Sequence, residues 1–88
     1  MAKYYRAGDY LWIKAIEENG IYKLLFTSCK RVSVATKCSR KHHTEDIYNY
    51  YDKVFTSKSH ANNYFRKVKE NNPQLKLVTL AEYQKQPN

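Results

Sequence analysis

Tyr10-Leu-Trp-Ile-Lys-Ala-Ile16, Glu17-Glu-Asn-Gly20 and Ile21-Tyr-Lys-Leu-Leu-Phe26 together decide the fold. The first and third runs are rich in aromatic and β-branched residues, the composition of strands. Asn19-Gly20 lies between them. A type I′ turn needs positive φ at both central residues, and Asn-Gly supplies them at the lowest steric cost. The stretch predicts a β-hairpin with strands over Tyr10–Ile16 and Ile21–Phe26.

The reading extends outward from this hairpin. Arg31-Val-Ser-Val-Ala-Thr36 alternates apolar Val32 and Val34 with polar neighbours. It is either a third strand or a continuation of the second past a bulge. Cys38 to Asp46 has no hydrophobic period and many polar groups, so an exposed loop is expected there. Ile47–Tyr51 and Lys53–Phe55 predict a further strand. Alternation in it sends Tyr48 and Tyr50 to one face and Tyr51 to the other.

Ala61, Tyr64, Phe65 and Val68 recur at i, i+3, i+4 and i+7, one apolar stripe at helical period. Ser57 or Ser59 is positioned to cap that helix with its hydroxyl oxygen. Arg66, Lys67, Lys69 and Glu70 lie away from the stripe. Asn71-Asn72-Pro73 ends the helix, because the residue before proline avoids the α region. Leu75–Leu80 predicts a final strand.

The fold class expected is α+β: a small two-layer domain. Its antiparallel or mixed β-sheet has four to five strands, with an N-terminal β-hairpin and one α-helix packed on one face. Residues 1–88 are read as a single domain, with frayed ends over 1–8 and 84–88. No internal repeat, low-complexity segment or family signature is present. The size and aromatic-basic composition are similar to those of many small phage-encoded proteins.

Charge is unevenly distributed. The chain has 16 Lys and Arg against 8 Asp and Glu, a net charge of +8. Asn19 to Thr44 contains no acid and holds Lys23, Lys30, Arg31, Lys37, Arg40 and Lys41, followed by His42-His43. A one-sided field of that kind attracts polyanions. Lys30, Arg31, Lys37, Arg40 and Lys41, with His42 and His43, are therefore the candidate binding segment. Nine Tyr exceed what a small core can enclose. Tyr48 and Tyr50 are the candidates for stacking on bases.

Other chemistries fit poorly. Cys29, Cys38, His42 and His43 are zinc-ligand types, but no C-x2-C occurs and the histidines are adjacent rather than three to five apart. No metal site and no cofactor are expected, and both cysteines are read as reduced thiols. There is no Gly-rich phosphate loop and no G-x-S-x-G. His60 has no evident nucleophile partner, so no catalytic residue is assigned and an enzyme is not expected. No apolar run approaches the ~20 residues that cross a bilayer, and no signal peptide is recognised. The expected location is cytoplasmic.

Two functions fit these features. One is a basic nucleic-acid-binding protein, directed mainly at phosphates with tyrosine stacking, on DNA or RNA. The other is a protein-binding inhibitor or adaptor, of the host-takeover type that phages make. It would dock its basic face on an acidic or nucleic-acid-binding surface of a partner enzyme. The basic balance favours the first. The lack of any helix-turn-helix, zinc-finger or RNP-type pattern favours the second.

Overall fold

The computed structural model describes residues 2–35 and 42–85, with side chains placed over 2–33 and 44–85. The hairpin forms as its turn residues dictate. Asn19 has φ 53° and Gly20 φ 77°, the two positive values that a type I′ turn requires. Its strands are β2 (Leu11–Glu18) and β3 (Ile21–Ala35), and β3 runs far past the expected end. The Ala2–Ala7 segment, expected to fray, is strand β1. It pairs antiparallel with β2 across a tight turn in which Gly8 has φ 52°. Tyr5 and Ala7 point into the core from β1, which gives the segment a reason to be ordered.

The remaining elements are β4 (His42–Phe55), α1 (Lys58–Asn71), β5 (Lys76–Val78) and α2 (Leu80–Tyr83). The five strands form one sheet in the order β4-β3-β2-β1-β5, antiparallel throughout. This is a small α+β fold. It carries two short helices rather than the one expected. The predicted last strand stops at Val78, because Thr79 caps a new turn: its Oγ1 accepts a hydrogen bond from the Glu82 amide at 3.2 Å. Ser57 stands at the N-cap of α1, but its side chain makes no capping hydrogen bond.

Constant register makes the two faces of the sheet unambiguous. Tyr5, Ala7, Leu11, Ile13, Leu24 and Phe26 share one face, with α1 packed over it through Ala61, Tyr64, Phe65 and Val68. Phe26 stacks on Tyr51 with ring centroids 4.8 Å apart and planes 8° from parallel. Leu75 seals the end of this core. On the opposite face α2 covers only the β1 side: Tyr83 lies 4.9 Å from Tyr4, and Glu82 accepts from Arg6 at 2.7 Å. Trp12 is fully buried on that face, beneath the Arg6 guanidinium at 5.8 Å.

Two expectations about the middle of the chain need correction. Arg31–Ala35 continues β3 with no bulge, since every residue from Tyr22 to Ala35 keeps one register against β4. His42–Asp46, expected in a loop, begins β4. No hydrophobic period marks His42–Asp46, and its described side chains, 44–46, are exposed. Strand β2 pairs with β3 only as far as Ser28, and the Cys29 amide makes the last bond, 2.8 Å to the Tyr10 carbonyl. Beyond it Lys30–Ala35 and His42–Ile47 pair only with each other and form a two-stranded arm. Six residues at ~3.3 Å make this arm ~20 Å long. The molecule measures 54 × 25 × 23 Å as a result.

Candidate functional site

The candidate residues divide among three places. Lys37, Arg40 and Lys41 lie outside the described residues. His42 and His43 open β4 opposite Ala35 and Val34. Lys30 and Arg31 are adjacent in β3, so pleating sends them to opposite faces. Lys30 is on the α1 face, at the mouth of a 430 Å³ groove between the arm base and the end of α1, with Asn49, Asn71 and Asn72 on its walls. Arg31 is on the other face. The two side chains therefore serve different faces of the sheet.

The arm also changes the electrostatics. Folding β4 back along β3 sets Asp46 opposite Arg31 and Glu45 opposite Val32. Arg31 Nε donates to Asp46 Oδ1 at 3.0 Å. Asp46, by hydrogen bond and by charge, raises the Arg31 pKa above its ordinary value. Lys23 similarly lies 3.6 Å from Asp52. The segment that is acid-free in sequence is thus partly neutralised in space. Exposed pairs of this kind moderate the local field more than they stabilise the fold.

Tyr48 and Tyr50 do share a face. They oppose Cys29 and Thr27 in β3, on the side of the sheet away from α1, whereas Tyr51 opposes Phe26 on the α1 side. Tyr50 is 65% exposed, the largest exposed aromatic surface among the described residues. Tyr48 is half-buried. Its phenol pKa is raised first by desolvation, then by a hydrogen bond with the Cys29 thiol and by nearby negative groups. Along the same open face lie Val54, 58% exposed, and Ile21, 47% exposed. Lys14 and Lys23 complete it, with the Lys14 ammonium 5.9 Å from the Tyr4 ring. The result is a sheet surface that mixes aromatic rings, apolar side chains and lysines with the carboxylates of Asp46 and Asp52, around a buried Trp12 and Thr27.

Two features escaped the sequence reading. The solvent side of α1 carries exposed Lys58, Arg66, Lys67 and Lys69 against Glu70 alone. The position of Arg66, Lys67, Lys69 and Glu70 off the apolar stripe is legible in sequence, and a helix wheel adds Lys58 to the same side. The second is α2, signalled by the T-x-x-E pattern Thr79 to Glu82. Among the described residues, no three His, Cys, Asp or Glu side chains come together to hold a metal ion. Cys38 lies outside the described residues. No described helix is long and apolar enough to cross a membrane. Comparison with known family models, curated proteins and solved structures finds no match for this chain.

Proposed function

We propose that this protein binds nucleic acid, using phosphate contacts supplemented by tyrosine stacking, and that it acts in the cytoplasm without catalysis. The observation that supports this most is the shared face of Tyr48 and Tyr50, with Tyr50 extensively exposed on the side of the sheet that also carries Lys14. Exposed rings beside cations hold bases and backbone together. The net charge of +8 supplies long-range attraction for a polyanion. Lys37, Arg40 and Lys41, in the connection between the two strands of the arm, add phosphate contacts in this reading. Exposed Lys58, Arg66, Lys67 and Lys69 of α1 add a second cationic patch.

Binding to DNA and RNA oligonucleotides, followed across a range of salt, tests the reading. Log K should fall linearly with log salt. Each Lys or Arg removed from the contact surface should make the slope shallower by about one unit. Arg40→Glu with Lys41→Glu should weaken binding while the fold persists. No binding to any DNA or RNA near physiological salt would refute it.

A second reading draws on the outer edge of β4. This 14-residue strand ends the sheet order, and β3 is its one partner in the sheet. An extended peptide can add to such an edge. That supports a protein-binding inhibitor or adaptor, of the phage host-takeover type, in which a partner pairs with β4 and the basic surface meets acidic groups. A nuclease-resistant protein complex recovered from lysate, together with no oligonucleotide binding, would favour it.

A further inference from the structure

We infer that the open sheet face takes a single strand of nucleic acid, laid across β4, β3 and β2, in preference to a duplex. This rests on the nucleic-acid reading above and specifies its ligand. The argument starts from Tyr50. Its ring projects from a broad sheet rather than from the tip of a narrow wedge, and it is 65% exposed. In a duplex the base faces are stacked on one another, so a ring standing on a flat surface has no face to meet. Unstacked bases of a single strand present theirs to any such ring, whatever the base.

Among the neighbours of Tyr50, Asp52 is next on the same face of β4 and takes up Lys23 at 3.6 Å, which leaves Lys14 as the cation for a phosphate. Thr27, the partner of Tyr50 on β3, is only 7% exposed, and Trp12 beyond it in the same row is buried, so Tyr50 is the residue of this row that meets solvent. Lys14 is on the same face, two strands away on β2 and one row along. Adjacent strands are ~4.8 Å apart and same-face residues of a strand ~7 Å, so about 12 Å separates Tyr50 from Lys14 along the sheet. That leaves room for a base on the ring with its phosphate turned toward the ammonium. Tyr48 is two residues along β4, ~7 Å away, and offers a second ring at the next position. Val54 and Ile21 extend the surface with apolar contacts that a sugar or base edge can cover.

The arm argues the same way. Gripping a duplex through its phosphates calls for unneutralised cations along the ribbon. In the described part of the arm Arg31 is held by Asp46 at 3.0 Å, and Lys30 points to the opposite face. The rings therefore carry a larger share of the contact than the ribbon does.

The test is a titration, at about 150 mM salt, of labelled oligo(dT) of about 12 nucleotides and of a duplex of equal length, within the span that single-strand folds cover. Wild type should bind the single strand at least about tenfold tighter. Tyr50→Ala should weaken single-strand binding by about 5- to 150-fold and leave duplex binding unchanged. Tyr50→Phe should keep the wild-type affinity. Tyr50→Leu, apolar but without the ring, should lose it, which separates stacking from general packing. Equal affinity for the two forms, with Tyr50→Ala as good as wild type, would overturn the single-strand inference and leave nucleic-acid binding standing. Binding to neither form would remove both.

Discussion

The phenols of Tyr22, Tyr48 and Tyr51 all have pKa values above the ordinary 10.0, with desolvation as the leading cause in each. Glu17 adds to the shift at Tyr22, Cys29 at Tyr48 and Tyr64 at Tyr51. Folding thus favours the protonated ring at three places. Below the unfolded value both states hold the proton and this contribution is fully present. As pH rises past 10 the unfolded chain releases its protons first, so stability is lost progressively through the folded values. Urea melts between about pH 8 and 11 should show midpoints falling above about pH 10, with tyrosinate absorbance appearing late in the native protein. Tyr51→Phe should make that fall less steep. Midpoints flat to pH 11 would mean that the rings ionise as freely in the fold as outside it. Single residues also explain why part of the site was hidden in sequence. Arg31 looks free in sequence until Asp46 arrives from fifteen residues away.

At the scale of elements, the helix stripe was legible because its period is local. Ala61, Tyr64, Phe65 and Val68 all face the sheet, although only Ala61 is fully buried and Phe65 is partly covered, resting on Tyr5 at 4.6 Å. The more costly truncation is therefore Phe26→Ala, at a residue 2% exposed that holds Tyr51 and Tyr64 around it. It should destabilise by about 3–5 kcal/mol. Lys67→Ala, on the outer side of α1, should stay within about 0.5 kcal/mol. Comparable losses in denaturant melts would mean that the core is not centred on Phe26. The hairpin was equally legible, since Asn19-Gly20 leaves few alternatives. The arm was legible on one side only. Val32 and Val34 alternate along its β3 strand, but no hydrophobic period marks His42–Asp46, which reads as loop. Strand β1 was missed for a different reason. Its Tyr-Tyr-Arg-Ala run has ordinary strand character, and its place between β2 and β5 depends on pairing with residues far along the chain.

The molecule as a whole is longer than its size requires. A compact chain of this length has a radius of gyration of ~12 Å, whereas this one has 16.0 Å. The difference comes from the arm, whose described residues belong to none of the core. Replacing residues 31–46 by an Asn-Gly turn should leave the sheet folded and bring the small-angle scattering radius toward ~12 Å. Unfolding on truncation would show that the arm supports the sheet. The order β4-β3-β2-β1-β5 has another consequence. The first three strands are consecutive and sit in the middle, and the second half of the chain supplies both flanks and the helix that crosses between them. The chain is a clasp: its C-terminal half grips its N-terminal half from two sides at once. Severed between Ala35 and His42, the two pieces retain every pairing of the central sheet and most of the buried core. They should reassemble from separate polypeptides, making the arm a natural place to divide this protein into complementing fragments.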